Sequence, residues 1–128
     1  MLLDALRPID AADAPSLVPD DRAIDLVHLA RTTMGDRSLE REVLQLFDRQ
    51  SSLLIARMRT AAPGGVSTLA HTLKGSARGI GAWRVARAAE ALELAGAARN
   101  EEIPAALDHL AAASDEARAV IAELLRAS

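Results

Sequence analysis

From Asp36 to Ala127, apolar side chains return every three or four positions, and only short breaks interrupt them. That period is the mark of helices that each bury one stripe. Asp36 is placed to cap a long helix running to about Arg59, with Leu39, Val43, Leu46, Phe47, Leu54 and Met58 on its stripe and Leu53 and Ile55 beside it. Ala62-Pro63-Gly64-Gly65 is the clearest break in the chain. A third helix is predicted from about Val66 to Arg78, ended by Gly79-Ile80-Gly81, and a fourth from about Ala82 to Ala97. After a turn at Asn100-Glu101 the last helix accepts Pro104 in its first turn and continues to about Ala127 through Leu107, Leu110, Ala117, Val120 and Ile121. In front stands a short helix capped by Asp25, with Leu26, Leu29 and Ala30 on one side, closed by Met34-Gly35. The pattern predicts an all-α fold: an antiparallel four-helix bundle with a short additional N-terminal helix.

Composition agrees. Ala, Leu, Arg and Glu, all good helix formers, dominate. Phe47 and Trp83 are the only aromatic side chains, and strand-like alternation of β-branched and aromatic residues is absent over any useful length. A length of 128 residues is one ordinary domain. Residues 1–22 carry Pro8, Pro15 and Pro19 among Asp4, Asp10, Asp13 and Asp20, which excludes a long helix there. They are expected to form a flexible lead, with the bundle domain over 23–128.

Several functions are disfavoured at this level. No cysteine is present, which removes thiol chemistry and thiolate metal sites. With 15 Lys and Arg against 18 Asp and Glu there is no basic excess for nucleic acid, although Arg78, Arg84 and Arg87 cluster locally. Asp4 and Asp10 interrupt any secretory leader, and no run of about 18 apolar residues offers a membrane span. A cytoplasmic protein without membrane or nucleic-acid contacts is expected, and the high Ala and Arg usage suits a GC-rich bacterial genome. Gly64-Gly65 is not followed by Gly-Lys-Ser/Thr, so no nucleotide phosphate loop is present, and the chain has no room for a kinase catalytic domain. Autonomous kinase activity is therefore not expected.

On the helix that starts near Val66, the residues Val66, Ala70, Leu73 and Ala77 form the apolar stripe. His71, Lys74, Gly75 and Arg78 follow one another at three- and four-residue steps on a neighbouring face. A neutral imidazole is a competent nucleophile near neutral pH. Lys74, one turn on, can offset charge on a phosphoryl group, and Arg78 can do the same or meet an acidic partner. Gly75 costs a helix interior roughly 1 kcal/mol against alanine. Close approach of another protein to the imidazole would explain its presence. Ser76 can bond back to its own helix or extend a polar network. His28 and His109 read as ordinary helix histidines.

The segment His71-Thr72-Leu73-Lys74-Gly75-Ser76-Ala77, followed by Gly81, resembles the signature of the histidine-containing phosphotransfer (HPt) domain of bacterial two-component phosphorelays. Val85, Ala89 and Leu92-Glu93 resemble the family's next helix, although Val85 and Ala89 are smaller than the family's usual side chains; Trp83 packing nearby is expected to make up the volume. Ile24-Asp25-Leu26, Gly35-Asp36 and Leu46-Phe47 resemble its opening helices, so the likeness covers about 23–127. The resemblance implies that the outer ring nitrogen of His71 accepts a phosphoryl group from a receiver-domain aspartate and passes it reversibly to another receiver. The inner nitrogen should then bond within its own helix or to water. Partners would be response-regulator receiver domains and a hybrid sensor histidine kinase. No cofactor or metal would be bound by this chain, and Mg²⁺ would sit in the receiver. Lys74 would stabilise phosphoryl charge, Gly75 would give the receiver clearance, and Ser76 would support the site. Apolar residues of the first two helices would form the docking face, with Arg78, Arg84 and Arg87 at its rim. Arg84 and Arg87 read equally as ordinary solvated charges, and Glu93 as either a polar neighbour of the imidazole or a plain surface glutamate. Two other readings stay open: a degenerate, non-phosphorylated adaptor, and a dimeric phosphoacceptor resembling the helical hairpin of a histidine kinase. Four long helices in one chain favour a monomer.

Overall fold

The computed structural model describes residues 22–127; all but Arg22 of the predicted lead lies outside them. Five α-helices follow one another among these residues: α1 (Leu26–Thr32), α2 (Arg37–Met58), α3 (Pro63–Ile80), α4 (Trp83–Ala98) and α5 (Ile103–Ala127), with one 3₁₀ turn at Asn100–Glu102. α2 packs on α3, α3 on α4, α4 on α5, and α5 closes the ring against α2, while α1 lies against α3. This is the predicted bundle with its short leading helix.

The caps are local chemistry. The Asp25 carboxylate accepts the His28 N–H at the start of α1, and the Asp36 carboxylate accepts the Leu39 N–H at the start of α2. α3 begins three residues earlier than the sequence suggests. Pro63 opens it with a fixed φ and no N–H to satisfy, so Gly64-Gly65 become its first turn rather than a loop. α3 also ends later. Gly79 is helical, and the stop is Gly81 alone, at φ 80°, where the Ala82 N–H reaches back to Ala77 O at 2.9 Å.

The core stripe of α2 is Leu44, Phe47, Ser51, Leu54 and Met58, at steps of three and four. This corrects the predicted stripe: Leu44 is inside, and Leu46 and Leu53 are more than half exposed. Ser51, fully buried in the middle of the stripe, interrupts the apolar pattern and hides the register; its hydroxyl donates to Asp48 O. From α3, Val66, Ala70, Leu73, Ala77 and Ile80 meet the alanine-rich face of α4 around Leu92. Arg118 Nε donates to Asp48 Oδ1 at 2.7 Å and Arg41 donates to Leu125 O, which tie α5 to α2.

Two joints fix α1 and the helix pair α3–α4. The Asp25 N–H donates to Gly81 O, and Trp83 Nε1 donates to Asp25 Oδ2, both at 2.9 Å. His28 packs edge-on against the Trp83 ring, so His28 is part of this joint. Trp83 is thereby engaged with α1, a role the predicted packing beside Val85 and Ala89 does not include. Burial works against the charge on Asp25, but the hydrogen bonds from Trp83 and His28 prevail and hold its carboxyl below the ordinary range. The second joint is Gly96 on α4. A β-carbon there would stand 2.9 Å from Pro63 O and 3.0 Å from Ser67 N, so only glycine lets the start of α3 come so near.

Gly35 and Gly81 share a positive φ, but a β-carbon at 35 meets nothing within 4 Å, whereas one at 81 meets Asp25 at 2.9 Å. Gly35→Ala is therefore expected to cost the left-handed penalty alone, about 1–2 kcal/mol. Gly81→Ala should cost at least about 1 kcal/mol more from the forced shift of Asp25. Urea denaturation of the two variants measures the difference; equal losses would contradict the Gly81–Asp25 joint.

Candidate functional site

The imidazole of His71 stands on the outer face of α3 with its side chain 67% exposed. The neighbouring positions Ala70 and Leu73 are fully buried, so the ring leaves the helix beside the core stripe, not from it. Its Nδ1 lies 2.9 Å from Oε2 of Glu93 on α4. A carboxylate can only accept, so Nδ1 is assigned as the donor and Nε2 carries the lone pair. The bond expected for the inner nitrogen, within its own helix or to water, is thus made to the next helix instead.

Glu93 holds a second partner. Lys74 Nζ lies 2.7 Å from Glu93 Oε1, with the lysine side chain largely covered and the carboxylate 24% exposed. The hydrogen bond from Lys74 is the main reason the Glu93 carboxyl sits below its ordinary range; the bond from His71 adds to it, and partial burial opposes both. Lys74 is consequently paired before any phosphoryl group arrives. The backbone of Glu93 is fixed as well, because Ser67 Oγ donates to Glu93 O at 3.0 Å. This bond spans the place where Gly96 lets α3 and α4 come together. One turn further along, Arg78 approaches Glu90 at 3.7 Å.

The other flank of His71 is uncharged. Gly75 and Gly79 are exposed, and a β-carbon on either would meet nothing within 4 Å, so packing inside the bundle does not require a glycine at these two places. Ser76 Oγ donates to Gln50 Oε1 of α2 at 2.9 Å, extending a polar link rather than bonding back to its helix. Beyond it lies a groove of about 250 Å³ whose walls include Leu39, Val43, Leu46, Phe47 and Ile80, with Gln50, Ser76 and Gly79 along the edge. The three arginines do not converge. Arg78 and Arg87 border a small cleft beside Trp83, while Arg84 pairs with Glu116 of α5 at 3.1 Å in a second groove that Arg87 and His109 also line. Arg84 thus reaches towards α5.

Sequence pattern brings His71, Lys74 and Gly75 onto one helix face, and they are together here. It leaves Glu93 open between a polar neighbour of the imidazole and a plain surface glutamate, and it does not single out Gln50 and Gly79. The partners of His71 and Ser76 are 22 and 26 residues away along the chain, beyond the reach of a helical period. Among the described residues no group of three or more His, Asp or Glu side chains is placed to hold a metal. No helix among them is long and apolar enough to cross a membrane.

A family model described as Hpt domain matches residues 42–127, from within α2 to the end of α5. The match covers about two-thirds of the chain and all of the site, and the chain belongs to the Hpt domain family. Domains of this family carry out histidine phosphotransfer in phosphorelays and interact there with receiver domains and kinases. Searches of curated proteins and of solved structures found no significant match.

Two measurements probe the site's physical state. Gly75→Ala and Gly79→Ala should each raise stability by about 0.5–1 kcal/mol, since alanine relieves the backbone cost and enters open space. A loss of stability in denaturant would mean that these glycines serve packing after all. Glu93 has its carboxyl depressed in the folded chain, so its contribution is complete above the ordinary carboxylate range and is lost as pH falls through the lowered value. The stability gap between the wild type and Glu93→Gln should therefore close on acidification. A gap that persists at acid pH would contradict the Glu93 ion pair.

Proposed function

We propose that this protein is a phosphoryl carrier whose acceptor atom is Nε2 of His71. The observation that carries the reading is the two-thirds exposed imidazole with its other nitrogen committed to Glu93. A receiver's phosphoaspartate would present phosphorus in line with the Nε2 lone pair. The Nε2–P bond forms as the acyl O–P bond breaks, and its electron pair returns to the aspartate. The same steps in reverse load the next receiver. The chain supplies the nucleophile and the surface; Mg²⁺ and the acidic pocket come with the receiver.

The flanks of α3 divide the remaining work. Gly75 and Gly79 let a partner come to the imidazole without meeting a side chain, and the groove beside them accepts apolar contact of the modest area common to transient signalling. Lys74 can turn from Glu93 to the phosphoryl oxygens once these are present. Arg78 borders the approach; Arg87 is a more distant contact, and Arg84 is left to the bundle. The partners proposed are receiver domains and a hybrid sensor kinase, in the cytoplasm. The chain is proposed to act as a monomer, because its four long helices close a ring without a second copy.

The test is incubation with a receiver phosphorylated on its aspartate. Radiolabel should appear on this protein, be acid-labile, and be absent from His71→Gln. Gly75→Gln should fold normally yet accept label at least about ten-fold more slowly, the loss expected when a barrier rises by 1.4 kcal/mol. Binding of phosphorylated receivers without any labelling would favour the adaptor reading and overturn this one.

A further inference from the structure

Glu93 does more in this geometry than orient a ring. It is the only carboxylate within hydrogen-bond distance of His71 among the described residues, and it faces Nδ1 at 2.9 Å. Its own place is fixed from three sides: the Ser67 hydroxyl on its carbonyl, Lys74 on its other oxygen, and the Gly96 contact that sets the spacing of α3 and α4. An anion held this rigidly against Nδ1–H matters most when Nε2 carries phosphorus. A phosphorylated imidazole that keeps its Nδ1 proton has a cationic ring, and such a ring leaves as neutral imidazole. One that has lost this proton would have to leave as an anion, a far poorer leaving group.

Resting on the phosphotransfer reading, we propose that Glu93 is a positioning residue that keeps the Nδ1 proton in place through both halves of the relay, so that the ring of phosphorylated His71 remains cationic and a ready donor. The balance is simple. In acceptance, neutral His71 with Nδ1–H attacks through Nε2 and becomes a phosphoimidazolium opposite the Glu93 carboxylate. In donation, the Nε2–P bond breaks, its electron pair returns to Nε2, an O–P bond forms on the receiving carboxylate, and the same Nδ1–H remains. No proton enters or leaves the site in either direction.

The charged groups around the ring suit this task. Glu93 comes from α4, Lys74 from the ring's own helix, and the Arg78–Glu90 pair lies a turn beyond; towards α2 the contact is made through the uncharged Ser76 and Gln50. Lys74 plays a second part. It holds Glu93 Oε1 while Oε2 takes the ring, and a phosphoryl group on Nε2 competes for the same ammonium. When Lys74 turns to the phosphoryl group, all of the Glu93 charge is left for the imidazolium.

The experiment uses the whole protein phosphorylated chemically with phosphoramidate, so that the outcome does not depend on a receiver. Decay of the phospho-His71 signal is followed by ³¹P NMR, in the range of about pH 5–8 over which an ordinary imidazole changes charge. Wild type should decay at a nearly constant rate across this range. Glu93→Gln, which retains an oxygen acceptor without the charge, should decay at the wild-type rate near the acid end and at least about five-fold more slowly near the alkaline end. Glu93→Asp should recover part of the difference. ¹⁵N NMR of unphosphorylated wild type should show the proton on Nδ1 of His71, a measurement that stands even if a variant fails to fold. The proposal is overturned if wild-type lifetime rises steeply with pH, if Glu93→Gln matches wild type throughout, or if the resting proton is on Nε2. Failure of receiver-driven labelling alone would overturn the relay reading and leave these readouts able to decide the role of Glu93.

Discussion

Where Gly96 of α4 faces the first turn of α3, the two backbones come so near that a methyl group would strike Pro63 O and Ser67 N at about van der Waals overlap, 2.9 and 3.0 Å. That approach permits the Ser67 hydroxyl to reach Glu93 O, and the position of Glu93 follows from it. From there the carboxylate bridges back to α3, taking Lys74 with one oxygen and His71 with the other. The hydrogen bonding of one exposed imidazole thus rests on backbone contact one to two turns away. The alanines of α4 serve the same end, since small side chains between α3 and α4 keep the helices close along their length.

α3 is accordingly a helix with three kinds of side. Its core stripe of Val66, Ala70, Leu73 and Ala77 holds it in the bundle. The side towards α4 is ionic, with Lys74 and Arg78 facing Glu93 and Glu90. The side towards α2 is small and open, with Gly75 and Gly79 next to an apolar groove. His71 sits where the ionic and open sides meet. One flank bonds the ring and the other is open. Two helix-interior glycines with empty space above them make little sense as stability devices, because each forgoes what alanine would contribute. On the proposed relay they serve as clearance for a partner.

Much of this was legible in the residues. The helices follow from apolar period and caps, and His71, Lys74 and Gly75 share a face because a single helix fixes their relation. The match of an Hpt domain to 42–127 agrees with the resemblance carried by the segment around His71. What pattern could not supply lies between helices or in backbone conformation. Glu93 and Gln50 meet α3 through the rotation of packed helices about their axes, which no local period encodes. Ser51 in the core of α2 masked the true stripe and made Leu46 look buried. Of the glycines that close α3, only Gly81 has the left-handed φ that stops a helix, and Gly79 beside it is indistinguishable by type. Pro63-Gly64-Gly65 has the composition of a loop and the conformation of a first turn, because proline sits among the first-turn positions where a missing N–H costs nothing.

In the proposed relay His71 carries the phosphoryl group on Nε2 while Nδ1 stays with Glu93. Long-range ¹H–¹⁵N NMR of the protein, loaded by a phosphorylated receiver, tests it most directly by assigning phosphorus and proton to individual ring nitrogens. Phosphorus is expected on Nε2 of His71 with a proton retained on Nδ1. Phosphorus on Nδ1, or on His28 or His109 with His71 unmodified, would contradict it.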